Sequence, residues 1–134
     1  ELYRSEFRPS EQLTKPYVML GINVFAADND RQARRLLTSL ERAFVDLRRG
    51  QPSQLAPPVD EAELEISPLE RAALEQLLTC TAVGSPETVY EEIRDFVSLT
   101  HPDELIVVSQ IHDHAARLRS YEITAQVRDR LAAG

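Results

Sequence analysis

The sequence predicts an α/β fold built around a parallel sheet, and three observations carry that expectation. Residues 16–27 are apolar on both faces of a strand, since Val18, Leu20, Ile22, Val24 and Ala26 alternate with Tyr17, Met19, Gly21, Asn23 and Phe25. A sheet with one wet face would alternate apolar with charged residues, whereas a parallel strand covered by helices is apolar nearly throughout. A second aliphatic run, Leu105, Ile106, Val107, Val108 and Ser109, lies between two helical patterns, and this alternation of strands with helices is that of a βα unit. Two strands alone leave unpaired edges and make no stable sheet, so further strands from a longer chain or from a second copy are expected.

The remaining elements follow in order. The first dozen residues read as the tail of a helix and a turn around Pro9 and Ser10, with a connective role. After the first strand, Asp28, Asn29 and Asp30 offer caps for a helix of about twenty residues. Its apolar stripe is Ala33, Leu36, Leu37, Leu40, Ala43, Phe44 and Leu47, and Gly50 supplies its end. Residues 51–66 hold Pro52, Pro57, Pro58 and several acids and form the longest structureless stretch, the kind of loop that is functional or disordered. Ser67-Pro68-Leu69-Glu70 is a capping box with proline at the first helical position, opening a short helix through Leu78. Ser85-Pro86 repeats the device for a helix that buries Val89, Ile93, Phe96 and Val97 and stops at Thr100-His101-Pro102-Asp103. Asp113 caps the last helix, which carries Ala115, Leu118, Tyr121 and Ala125 on one side.

Composition narrows the function. At 134 residues the chain holds one domain at most, at roughly 100–200 residues per domain. Its 15 basic and 22 acidic residues give a net charge of −7, which disfavours a nucleic-acid surface because phosphate binding needs clustered positive charge. Arg31, Arg34, Arg35, Arg42, Arg48 and Arg49 crowd one segment but alternate with acids and an apolar stripe, as on a solvated helix face. Cys80, the one cysteine, allows no intrachain disulfide, and with Met19 it is expected in the core. No apolar run nears the roughly 18–20 residues that span a bilayer and no signal-peptide pattern is present, so the cytoplasm is the expected compartment, without membrane contact. The start at Glu1-Leu2-Tyr3 without methionine, on an uncapped helical pattern, predicts a piece of a longer protein.

The chain resembles the C-terminal part of the luciferase-like flavin-dependent monooxygenases, the family of the bacterial luciferase subunits. The resemblance spans nearly its whole length. It rests on Tyr3-Arg4-Ser5-Glu6-Phe7-Arg8-Pro9-Ser10, on the strand at 16–27 running into Asp28, and on Val83-Gly84-Ser85-Pro86-Glu87-Thr88-Val89. Ser109-Gln110-Ile111 followed by Asp113-His114-Ala115-Ala116-Arg117-Leu118 completes it. The family implies a (β/α)8 TIM-type barrel, incomplete in this chain, which would supply the seventh and eighth strand-helix units as a single partial domain, 1–134. Residues 51–66 would match the mobile region covering the site. Reduced FMN or a deazaflavin is the implied cofactor, with oxygen or hydride chemistry on a small organic substrate. The flavin-phosphate residues belong to earlier strands, so activity of this chain alone is not expected.

In such a barrel the carboxyl ends of the strands face the site. Asn23 and Phe25 at the end of the first strand, and Ser109, Gln110 and His112 at the exit of the second, are therefore the candidates for cofactor or substrate-cavity contact. Asn23 stands out, because an amide inside an apolar strand costs about 1–3 kcal/mol unless it has a partner, although a neighbouring strand or a buried water serves as well as a ligand. Ser85 at a helix start could bind an anion through backbone N–H groups, but capping explains it equally. His112 and His114 diverge by about 200° if helical, which disfavours joint metal ligation. The alternative from another class is a non-catalytic acidic α/β module that pairs its sheet edges with a second copy or a partner.

Overall fold

One strand has both its edges paired, and the rest of the molecule is arranged around it. The computed structural model describes residues 2–133. In chain order its elements are α1 (Leu2–Glu6), β1 (Met19–Ala26), α2 (Asp30–Arg48), α3 (Pro68–Leu77), β2 (Thr81–Gly84), α4 (Pro86–Thr100), β3 (Glu104–Val108) and α5 (His114–Ala133), with short 3-10 turns at Glu61–Glu63 and Leu78–Cys80. The sheet is wholly parallel in the order β2-β1-β3. β3 pairs with the amino half of β1, from Met19↔Glu104 to Asn23↔Val108, and β2 with the carboxyl half, from Asn23↔Thr81 to Ala26↔Gly84. The sequence predicts two strands, and β2 is the third. Its four residues are too few to show a period, and they run straight into the Ser85 cap.

The two faces of β1 meet different helices. Ile22, Val24 and Ala26 join Ala82, Val89 and Ile93 of β2 and α4 and Ile123 and Val127 of α5 in the main core. On the opposite face Phe25 is fully buried against Leu37 and Ile111, with Leu36 and Leu40 of α2 packed beside them. α2 covers only the carboxyl end of that face. Met19 is 50% exposed and Ile106 51%, so the amino end is an uncovered apolar surface. Met19 is thus not the core residue the sequence suggests, and Cys80 is exposed as well.

Local sequence explains the helix ends. Asn29 caps α2 by accepting from Gln32 N at 2.9 Å, and Gly50, at φ +74°, turns the chain where a side chain would be strained. α3 opens on the capping box, with Arg49 and the Ser67 cap holding the Glu70 carboxyl down to about 2. α4 starts at the Ser85 cap and stops at His101 in the left-handed region, whose N–H donates to Val97 O at 2.8 Å. Arg4 of α1 donates to the carbonyls of Thr100 and His101, tying the N-terminal segment to this stop.

Two helices bury faces other than the expected ones. On α2, Leu47 is 59% exposed, whereas Glu41 and Val45 are buried. α3 and residues 51–66 pack on that flank and draw the buried arc towards it, with Thr38 Oγ1 accepting from Val59 N at 3.0 Å and its one proton directed between Arg35 O at 2.7 Å and Val59 O at 3.1 Å. On α5, the expected stripe of Ala115, Leu118, Tyr121 and Ala125 faces outward, and Ser120, Ile123, Thr124 and Val127 are buried instead. Apolar periodicity cannot see this face, because two of its members are hydroxyls satisfied by main chain. Ser120 Oγ accepts from Ala26 N at 3.0 Å, and Thr124 Oγ1 donates to Ser120 O at 2.7 Å.

The Glu41 carboxyl is nearly fully buried. Its Oε1 lies 3.8 Å from Arg71 of α3, and its Oε2 finds no hydrogen-bond partner among the described residues. Burial pushes this carboxyl above its ordinary value and Glu61 adds to the rise, while Arg71 and Arg34 oppose it.

Two measurements test this packing. A Cβ at Gly84 would lie 2.6 Å from Thr88 Cβ and 2.7 Å from Asp30 Oδ1, so Gly84→Ala is expected to lower stability by about 1–3 kcal/mol in denaturant unfolding. The raised Glu41 value means that the folded state binds the proton more tightly than the unfolded chain. Its contribution favours folding below the ordinary carboxylate value and is lost as pH rises through the raised one. Glu41→Gln is therefore expected to stabilise the protein at pH 7 and to flatten its loss of stability between acid and neutral pH, and a destabilised variant at pH 7 would contradict the assignment.

Candidate functional site at the carboxyl ends of the strands

Strand register sets the polar row. Asn23 stands between Thr81 of β2 and Val108 of β3, on the face turned away from α4 and α5. Its Nδ2 donates to Thr81 Oγ1 at 3.4 Å, a long bond that leaves the amide oxygen and the second N–H available. Phe25, two residues on, lies under α2 and reaches no solvent. These two candidates share a face.

Ser109 does not join them. It is 4% exposed and turned to α5, donating through Oγ to Val24 O at 2.8 Å and through its N–H to the Tyr121 hydroxyl at 3.2 Å. Its geometry is that of a clamp between β1, β3 and α5. Gln110 and His112 are exposed in the connection to α5, on either side of the buried Ile111. His114 is exposed too, with Nδ1 2.9 Å from Arg117 Nη2. Among the described residues no three of His, Cys, Asp and Glu gather as metal ligands.

The start of α4 already holds an anion, and it belongs to the chain. Asp30 Oδ1 accepts from Ser85 N at 2.7 Å and from Thr88 Oγ1 at 2.8 Å, and those bonds hold the Asp30 carboxyl below its usual range, the Ser85 N–H contributing most. Close by, Arg119 of α5 grips Asp28 through Nε and Nη2 at 3.1 and 2.8 Å. Both aspartates read as helix caps in the sequence, and nothing local reveals partners 55 to 91 residues away.

A cleft of about 250 Å3 opens beside this pair. Ala26, Ala27 and Ala116 form its floor and Leu36 a wall, with Asp28, Gln32, Arg35 and Arg119 at the rim. Sequence reasoning assigns Arg35 to a solvated face, which its exposure bears out, but the cleft at its foot is a product of the fold.

A flavin would have to find donors here. The helix N-terminus that could take its phosphate is filled by Asp30, whereas the open valences of Asn23 suit a polar ring edge or a substrate oxygen. The residues present thus leave an amide for a polar ring edge and offer no place for the phosphate.

No family model matches the chain. It is 43% identical over 130 residues to a luciferase-like monooxygenase of Escherichia coli strain K12, covering 97% of this chain and 39% of that protein. It is 46% identical over 127 residues to the uncharacterized protein YvbT of Bacillus subtilis, covering 95% of this chain and 38% of YvbT. The crystal structure of apo-MsnO8 superposes with a TM-score of 0.72 at 27% identity, over 95% of this chain and 39% of that one. The chain therefore spans about two fifths of the length of the curated relatives it matches.

The Asp30 junction can be tested through its pH dependence. A carboxyl with a lowered folded value stabilises above its ordinary value and loses that contribution as pH falls through the lowered one. Asp30→Ala is expected to lower the unfolding midpoint at pH 7, with a deficit that shrinks towards acid pH. A deficit independent of pH would assign the loss to packing rather than to charge.

Proposed function

The chain belongs to the luciferase-like monooxygenase family, and on that premise we propose that it forms the carboxyl-terminal strand-helix units of a flavin-dependent monooxygenase or oxidoreductase. It lines part of the flavin and substrate cavity and catalyses nothing by itself. The half-finished sheet supports this reading most strongly. Parallel sheets are covered on both faces, yet here Met19, Ile106 and Val108 stay exposed opposite the helix layer, as expected of an inner barrel wall that other strands complete.

Reduced FMN or a deazaflavin, when bound, supplies the oxygen or hydride chemistry on a small organic substrate. The residues of this chain bind and orient. Asn23 offers a carbonyl oxygen and an N–H to a ring edge or a substrate oxygen, and Met19, Ile106 and Val108 exclude water from the wall. The connection bearing Gln110 and His112 lies at the mouth. The free thiol of Cys80 suits a reducing, cytoplasmic setting.

One observation favours a second reading. The outer edges of β2 and β3 are unpaired among the described residues, so a non-catalytic module could pair them with another copy or a partner.

Flavin titration separates the two. A protein carrying the further strand-helix units is expected to bind reduced FMN or a deazaflavin, with Asn23→Leu weakening binding about fivefold, the worth of one hydrogen bond, and the 134-residue chain binding neither. Failure of a well-folded longer protein to bind either flavin overturns the enzymatic reading. Sedimentation of the 134-residue chain as a monomer that unfolds cooperatively overturns edge pairing.

A further inference from the structure

We propose that the cleft at the carboxyl end of β1 receives the carboxylate end of a small organic acid, with Arg35 as its anchor and Asp60 as the chain's own competitor for that anchor. The proposal rests on the reading that this end of the sheet lines a substrate cavity, and it names the substrate class.

The cleft lies where the sheet comes apart. The β1–β3 ladder ends at Asn23↔Val108. Beyond it, two serine hydroxyls serve the β1 backbone in place of strand pairing, Ser109 Oγ at Val24 O and Ser120 Oγ at Ala26 N. The chain leaves β1 towards β2 on one side, while β3 lies on the other. A crevice outside the carboxyl ends of neighbouring strands whose connections diverge is the general place for a ligand in a parallel sheet.

Its chemistry is that of an apolar slot with one available cation. Three alanines with nothing beyond Cβ leave room for a flat or slender apolar body. At about 250 Å3 the volume falls below the roughly 300 Å3 at which whole drug-sized ligands begin, so one ring or a short chain fits. Arg119 is committed to Asp28 and Glu122 through all three of its nitrogens. Arg35, one turn beyond Gln32 on α2, is different. Its ion pair is the exposed contact of Nε with Asp60 Oδ1 at 3.3 Å, which leaves the terminal nitrogens for a carboxylate.

Asp60 reaches Arg35 because Val59, its neighbour, donates its N–H to Thr38 Oγ1, whose own proton faces Arg35 O. A carboxylate is thus already presented to Arg35 from the loop at 51–66. A substrate carboxylate of the same chemistry would take its place, and the loop would respond to the exchange. Arg31 and Arg34 face the adjoining cleft that Asp60 and Glu61 share, and they add positive potential along the entry.

The test is a titration of a folded protein carrying this chain together with the further strand-helix units with benzoate, benzamide and inorganic phosphate, followed by NMR at the Ala27 and Ala116 amides. Benzoate is expected to shift both saturably, with benzamide at least about fivefold weaker and phosphate weaker than benzoate, since one charge-assisted contact is worth about a factor of five or more. Arg35→Gln should abolish the preference for benzoate over benzamide, and Asp60→Asn should tighten benzoate about fivefold. Equal binding of benzoate and benzamide, phosphate binding as tight as benzoate, an undiminished preference in Arg35→Gln, an unchanged affinity in Asp60→Asn, or no shifts at all would each overturn the proposal. Reduced-flavin binding by a longer protein is read separately. Flavin binding without the benzoate preference sinks only the cleft, and the preference without flavin binding sinks the enzymatic reading.

Discussion

The backbone of β1 must be satisfied where it is buried, and the structure depends on how that is done. Its amino half is paired with β3 and its carboxyl half with β2, so the two partners overlap only at Asn23. Neither neighbour covers the stretch around Val24 and Ala26 on the β3 side, and buried N–H and C=O groups left there would cost about 1–3 kcal/mol each. Ser109 and Ser120 remove that cost with their hydroxyls. The same two bonds fix the exit of β3 and the rotation of α5, which explains why α5 buries Ser120 and Thr124 and leaves Leu118 outside.

Charge at the carboxyl end follows the same economy of partners. Asp30 fills the start of α4, and Arg119 holds Asp28, so the two strongest polar features of this end are satisfied within the chain. Gly84 makes the first possible, because any Cβ there would meet the carboxylate and Thr88. Among the described residues, the amide of Asn23 and the terminal nitrogens of Arg35 keep hydrogen-bonding capacity at this end.

Much of this was legible in the sequence. The doubly apolar β1, the Ser67 and Ser85 caps, the Gly50 end and the stop at His101 are local signals, and each stands where the spacing puts it. β2 was not legible, since four residues carry no period and their pairing with β1 is a matter of tertiary contact. The α5 face escapes apolar periodicity because buried hydroxyls look polar until their backbone partners are known. Of the site candidates, Asn23 and Phe25 were placed on one face by strand alternation alone. Ser109 needed the three-dimensional path of β3 past its last pair before its attachment to Val24 could be seen. Asp28, Asp30 and Arg35 read locally only as caps and surface charge, their partners being contributed by distant segments.

The uncovered end of the sheet and the closed end have one cause. α2 crosses the inner face only at Phe25, because it starts at Asp30, four residues beyond the end of β1, and must return to β2. It therefore covers the carboxyl end and leaves Met19, Gly21, Ile106 and Val108 bare. An isolated parallel sheet has no means of covering that end from its own crossovers, since α4 and α5 both lie on the other face. Strands added at the β2 or β3 edge and curving around the bare face would bury it and would set Asn23 at the border between dry wall and open mouth.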